Sequence, residues 1–377
     1  MTDSIASSLP SARCWAEIET EALRHNVEVC QTLAGDRCGI MAIVKANAYG
    51  HGLEQVVAAL ADRLHWFGVA NVREAIRARE AAGKSTLRLL ILSPATPGEI
   101  DLIIANGFSA SISTREEVRA FSTAAKRLAK PAKMHAVVDT GMGRIGSPPS
   151  AFLDLLHSIR RDSHSILEGV ETHFPSADED ETFTRQQIKI FRELVETGPT
   201  EGCEIHLNNS AGLIGFPEES PFATLARPGL AIYGISPLSD TAGLRPVMSL
   251  KTRVSLVREI PAGTGISYGR TFLSDRPMTV ATLAVGYGDG YPRHLSGNGA
   301  DVLIAGQRCP LLGRVTMDQI VVDVSSVVGT VRSGDEVTLI GREGAQEISA
   351  TELAEKAGTI PWEIFTGITQ RVERIYL

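Results

Sequence analysis

Short apolar runs recur through the first two thirds of the chain, at residues 40–46, 66–72, 87–93, 109–113, 134–140, 167–174, 204–210 and 226–234. Between most of them lie amphipathic stretches, such as 54–63, 74–82, 115–129 and 184–196, whose apolar positions recur at helical spacing. Near-continuous apolar strands alternating with helices predict a parallel sheet covered by helices on its faces. Eight such strands are what a (β/α)8 barrel requires. The stretch before the last run is only weakly helical. A doubly wound sheet competes with the barrel, but no GxGxxG follows the first run. After about Thr241 the rhythm changes: 250–260, 279–286, 301–305, 319–325, 336–340 and 371–376 read as strands joined by Gly, Pro and Asp turns. One helix is expected there, with Ser349 and Glu352 as a capping box and Gly358 as its stop. The predicted class is α/β: a TIM-type barrel over 14–240, then a mostly β domain over 241–377. A first strand at about 13–18 is expected to pack with the second domain.

Composition narrows the function classes. The 377 residues are 43% hydrophobic and 21% charged, as in an ordinary globular protein. A net charge of −7 provides no basic face for nucleic acid or anionic lipid. Residues 1–9 are small and polar, without the charged and apolar regions of a signal peptide, and no apolar run approaches a membrane span. The five cysteines (Cys14, Cys30, Cys38, Cys203, Cys309) are scattered, odd in number and without a CxxC pair. That argues against a disulfide framework or a thiolate metal site. The expectation is a reduced cytoplasmic protein with no metal.

The chemistry concentrates where the first apolar run ends on Lys45, directly before a polar, glycine-rich turn. Closing a buried strand on an ammonium is costly unless the group is paired or neutralised, and a neutral lysine is a nucleophile toward carbonyl compounds. The plain alternative is a lysine that snorkels to water. In a barrel, catalytic groups gather at the C-terminal strand ends. Those ends carry Lys45 and Tyr49, then Asp139 with Gly141-Met142-Gly143-Arg144, His173, Asn209-Ser210 and Arg227-Pro228-Gly229.

With Lys45-Ala46-Asn47-Ala48-Tyr49-Gly50-His51-Gly52, Asp139-Thr140-Gly141-Met142-Gly143-Arg144, Ile266-Ser267-Tyr268-Gly269 and Gly313-Arg314-Val315-Thr316-Met317-Asp318, the chain resembles the alanine racemase family. The family depends on pyridoxal phosphate (PLP) and joins a barrel to a β domain. The resemblance runs from about Trp15 to Tyr376. It implies that Lys45 carries PLP covalently, and that Tyr49, Asn209, Ser210, Gly229 and Leu230 surround its phosphate. It implies that Arg227 faces the pyridine nitrogen, in a network with His173 and Tyr268. Lys45 and Tyr268 are the implied bases on opposite faces of an amino-acid substrate, Tyr268 coming from the partner of a head-to-tail homodimer. Arg144 and Met317 are implied to hold the substrate carboxylate, and Asp178, Tyr287, Arg293 and Arg314 to line the substrate corridor. The implied role is D-alanine biosynthesis, which supplies a peptidoglycan precursor.

Two positions depart from the family pattern. Val137 stands where many members carry a carbamylated lysine beside the carboxylate-binding arginine, and Lys133 lies too far up the strand to replace it. A bound anion such as chloride is the expected substitute. Gln370 stands where a tyrosine usually forms the inner gate, which implies a wider or more polar opening. The competing readings are a broad-spectrum or serine-type racemase on the same scaffold, and a PLP-carrier protein without catalysis.

Overall fold

The computed structural model describes residues 12–238 and 243–377. The expected domain boundary at 240/241 and the opening segment 1–9 lie outside the described residues. The chain forms two compact units. Among the described residues, one comprises 21–48, 52–238 and 243–245; the other gathers 12–20, Tyr49–His51 and Pro246–Leu377.

The first strand, β1 (Cys14–Ile18), belongs to the second unit. The first unit holds β2 (Gly39–Ile43), β3 (Trp66–Val69), β4 (Arg88–Ile91), β5 (Ser109–Ile112), β6 (Ala132–Val137), β7 (Ser165–Glu171), β8 (Glu204–His206) and β9 (Leu225–Ala226). All eight pair in parallel, in the order β8-β7-β6-β5-β4-β3-β2-β9. The Thr224 N–H donates to the Ile205 carbonyl (2.9 Å) and the Arg227 N–H to the Asn208 carbonyl (2.8 Å), which brings β9 back to β8 and nearly closes the barrel. The strands are buried along almost their whole length, as sheets covered on both faces are. The covering helices show one apolar stripe each: Arg115–Leu128 buries Val118, Phe121, Ala124 and Ala125, all on one face. Helices Pro97–Asn106 and Pro149–Arg161 add two crossovers to those read from the pattern.

The last expected barrel strand, 226–234, is corrected. Only Leu225–Ala226 is strand, and a 3₁₀ turn takes over at Leu230–Tyr233. Pro228 has no N–H for a ladder, and Gly229 bends the chain at φ −107°, ψ −81°. The loop is instead tied to β2, because Ile43 N–H donates to the Pro228 carbonyl and the Tyr233 hydroxyl to the Ile43 carbonyl.

In the second unit, β1 pairs antiparallel with β10 (Met248–Ile260). A hairpin of β11 (Gly265–Ile266) and β12 (Phe272–Leu273) follows, then β13 (Met278–Leu283), β14 (Asp301–Ile304), β15 (Gln307–Leu312), β16 (Ile320–Asp323), β17 (Glu336–Glu343), β18 (Gln346–Ile348) and β19 (Glu373–Tyr376). β19 lies parallel to β1. Because β17 also pairs with β10, strands β10, β13, β16, β15, β14 and β17 close into a ring of their own. β11, β12, β15 and β18 were not legible as strands. The helix expected at Ser349 runs over Ala350–Ala357, capped by Ser349 and stopped at left-handed Gly358. Its capping box is half formed: the Ser349 hydroxyl accepts from Glu352 N–H, whereas the Glu352 carboxylate is taken by Arg308 and Lys356. A second helix, Pro361–Gly367, corrects the expectation of a single one. Among the described residues, no helix is long and apolar enough to cross a membrane.

Candidate active site

Lys45 sits just beyond β2, half-buried at the C-terminal end of the barrel strand. Burial lowers its pKa, the Arg144 charge lowers it further, Glu74 opposes them, and Arg227 again lowers it. Such an amine is more readily neutral, and so nucleophilic, than a surface lysine. The residues after it turn left-handed: Ala46, Asn47 and Ala48 have φ of 52°, 56° and 52°, and Tyr49 follows at 51°. Tyr49 is buried, and burial pushes its phenol up to about 12.

Arg227, just past β9, is buried inside the barrel. Its two terminal nitrogens are fully used. One donates to His206 Nδ1 (2.7 Å) and the His206 carbonyl (2.8 Å), the other to the Thr172 carbonyl (2.6 Å) and His173 Nδ1 (3.3 Å). The Nε–H is what remains for a ligand. Glu171 lies 3.7 Å away as its counter-charge, itself held by the Ser111 hydroxyl at 2.7 Å. Arginine only donates, so both histidines accept through Nδ1 and carry their proton on Nε2. His206 passes that proton toward His135 Nδ1 at 2.7 Å. His173, half-buried at the end of β7, is held near 3 by burial and by the charges of Arg227, Arg144 and Lys45, so it is neutral at physiological pH.

Ser210 opens the short helix Ser210–Gly215, and its hydroxyl oxygen accepts the Gly229 and Ala231 N–H groups, both at 3.1 Å. Its own O–H, and the Leu230 N–H between those two amides, point to an anion as their partner. Asn209 precedes that helix. Its Oδ1 caps the helix at Gly212 N–H and its Nδ2 donates to the Phe174 carbonyl, so both ends of the amide serve the fold. Arg144 is exposed on the loop after β6, where Asp139 accepts the Gly141 and Gly143 N–H groups and so shapes the turn that presents it. Val137 is buried within β6. Lys133, near the start of that strand, lies 3.9 Å from Glu168. Asp178 is exposed on the loop before helix Glu181–Thr197.

The remaining candidates belong to the second unit. Tyr268 starts a 3₁₀ turn between β11 and β12 and is 72% exposed. Ser267 anchors that turn by donating to the Arg314 carbonyl (2.6 Å). Met317 is exposed in the turn after β15, and its carbonyl accepts the Gly288 N–H (2.9 Å), while Tyr287 N–H reaches the Thr316 carbonyl (3.0 Å). Arg371 ties these two turns together through Asp289 (3.2 Å) and Asp318 (2.9 Å). Tyr287 is exposed, Arg293 begins a 3₁₀ turn, and Gln370 is exposed before β19. The sequence reading missed Glu171, His206, His135 and Glu74. The first three were visible as polar residues inside otherwise apolar strand runs.

The two units match two successive family profiles, the alanine racemase N-terminal domain over residues 18–237 and the alanine racemase C-terminal domain over 247–376. An alanine racemase of Symbiobacterium thermophilum is 41% identical over 371 residues, covering 96% of each chain. The structure of the alanine racemase from Streptomyces coelicolor A3(2) superposes with a TM-score of 0.91 at 33% identity, covering 98% of this chain and 99% of that one. An alanine racemase from Bartonella henselae with covalently bound pyridoxal phosphate gives 0.87 at 27% identity, over 97% and 100%.

Proposed function

The chain belongs to the alanine racemase family, and on that basis we propose that it is a cytoplasmic, PLP-dependent enzyme that interconverts L- and D-alanine and so supplies D-alanine as a peptidoglycan precursor. The residues fit the cofactor: an amine of lowered pKa at a strand end, an arginine with one N–H to spare, and a hydroxyl beside a backbone N–H suited to a phosphate. When bound, PLP draws electrons from the substrate Cα and acidifies its hydrogen. Lys45 would hold it through its amine; the Ser210 hydroxyl, the Leu230 N–H and Tyr49 would receive the phosphate, while Gly229, whose own N–H goes to Ser210, and Asn209, which caps the helix on which Ser210 stands, would shape the cradle. Arg227 would offer its Nε–H to the pyridine nitrogen. A guanidinium does not hand over its proton, so Arg227 would moderate the electron sink and favour prompt reprotonation of the substrate over side reactions.

Inverting a stereocentre takes a proton off one face and returns one to the other. The Lys45 amine would serve one face. The partner subunit's Tyr268 serves the other, in a head-to-tail homodimer with composite sites. Neutral His173 offers its Nε2–H to the phenol oxygen and stabilises the phenolate that a base requires. Arg144 is assigned to the substrate carboxylate as a bidentate fork, with Asp178 on the approach in the same unit; Met317, Tyr287, Arg293, Arg314 and Gln370 are the second unit's candidates for the same two duties.

The observation that carries the reading is the lysine of lowered pKa opposite a buried arginine, where a carboxylate would give a stronger sink. Chiral chromatography of the PLP-loaded protein given L-alanine, L-serine and L-lysine tests it. Alanine is converted fastest; no racemisation with PLP bound overturns the reading in favour of a carrier. Mixing Lys45→Ala and Tyr268→Phe chains tests the composite site. Each variant is inactive alone, and random reassortment restores about a quarter of the native rate through one intact site per mixed dimer.

A further inference from the structure

Three helices of the first unit begin with a glutamate at the same third position: Glu74 in Val72–Ala81, Glu99 in Pro97–Asn106 and Glu117 in Arg115–Leu128. Glu99 and Glu117 turn back on their own helix starts. Glu99 accepts the Thr96 N–H (2.9 Å), and Glu117 the N–H groups of Ser113 and Thr114 (both 2.8 Å). Glu74 divides its carboxylate. Oε2 accepts the local Ala70 N–H at 2.8 Å, but Oε1 leaves the helix and accepts the Ala46 N–H at 2.8 Å.

Ala46 is the residue after Lys45 and the first of four consecutive non-glycine residues in left-handed conformation. That conformation costs an L-residue about 1–2 kcal/mol each, so something must hold the segment. Asn47 contributes by accepting Leu53 N–H through its side chain and Gly52 N–H through its carbonyl. Ala46 lies beyond the end of β2, and its amide is satisfied by Glu74. Glu74 also supplies negative charge toward an amine that otherwise faces the cations Arg144 and Arg227 and the neutral His173.

We propose that Glu74 is a positioning residue for Lys45: it clamps the left-handed turn behind the lysine to the end of β3 and offsets the two guanidinium charges that face the amine. This rests on the reading of Lys45 as the cofactor lysine. In Glu74→Gln one amide loses its charged acceptor and the amine loses its anion, so two measurements move. Hydrogen exchange of the full-length protein, followed by mass spectrometry over residues 44–50, speeds up about tenfold or more, as loss of one charge-assisted hydrogen bond implies. The pH at which the apo-protein attaches added PLP, followed by absorbance, moves down, because an ammonium without its anion deprotonates more easily. Glu74→Asp keeps the charge at shorter reach: it loosens the turn but holds the pH profile near native. Glu117→Gln loses the same type of cap and changes neither. Native exchange over 44–50, or an unmoved profile, in Glu74→Gln overturns the proposal. If the native protein attaches no PLP at Lys45, the functional reading fails, and the exchange measurement still decides the clamp.

Discussion

Tyr268 separates chemistry from stability more cleanly than any other residue of the candidate site. It is 72% exposed within its chain, so removing its hydroxyl costs the fold almost nothing. As one of the two proposed bases it would contribute about 10²–10⁴ in rate. Tyr268→Phe therefore leaves the melting temperature unchanged and lowers racemisation by that factor. In D2O one alanine enantiomer still exchanges its α-hydrogen through Lys45, while the other nearly stops. Equal loss of exchange from both enantiomers would contradict the assignment of two bases. Lys45 and Tyr268 were legible as candidates because each sits in a motif with an unusual local demand. Glu171, His206 and Glu74 were not, because each acts through a contact made only once the barrel closes: Glu171 and His206 meet Arg227 from two other strands, and Glu74 reaches Ala46 from 28 residues away. Asn209 has a duty that was not legible: its side-chain oxygen caps the helix it precedes.

At the scale of elements, the loop after β6 shows how a strand end presents a charged group. Asp139 gathers the Gly141 and Gly143 N–H groups, and Gly141, at φ 145°, leaves room only for the Phe183 ring, which would sit 2.4 Å from an added Cβ. Asp139→Ala releases the turn that carries Arg144. Steady-state kinetics should show KM for alanine rising about tenfold while kcat falls much less, because carboxylate binding is lost before proton transfer is. An equal fall in kcat would place Asp139 in the chemistry instead. Val137, buried in the same strand, puts no side-chain anion beside Arg144. Replacing chloride by gluconate at constant ionic strength should raise KM several-fold, and a Val137→Glu variant that folds should lose that dependence; a KM indifferent to chloride in the native protein excludes the anion. The barrel helices and strands were readable because burial writes their periods into the sequence. β9 and β18 are only two and three residues long, too short to show any period, and their pairing is set by the strands beside them.

For the whole molecule, the polar groups stacked inside the barrel make acid the condition under which the fold weakens. Burial and the charges of Arg227, Arg144 and Lys45 hold His173 near 3, and burial with Arg227 and His135 keeps His206 well below the ordinary 6.5. Both refuse a proton that the unfolded chain accepts below about pH 6.5. The unfolded state then binds more protons than the native one, and stability falls with pH by about 1.4 kcal/mol per unit for each group. Carboxylates act lower on the scale. Although burial pulls it upward, Glu168 is held at about 2 by hydrogen bonds from His135 and Ser109 and by Arg88, and Glu352 is held at about 2 chiefly by Arg308; both lose their contribution only as pH drops below about 4.5. The interval between pH 6.5 and 4.5 therefore belongs to the histidines. Urea unfolding of the apo-protein should give a midpoint that is flat from pH 8 to 7 and declines from about pH 6.5 downward. In His173→Asn, which keeps an acceptor toward Arg227 but cannot titrate, the decline in that interval should be shallower by about one proton's worth. A midpoint constant down to pH 5 would mean that His173 and His206 charge within the folded barrel, against the burial and the neighbouring cations that hold them neutral.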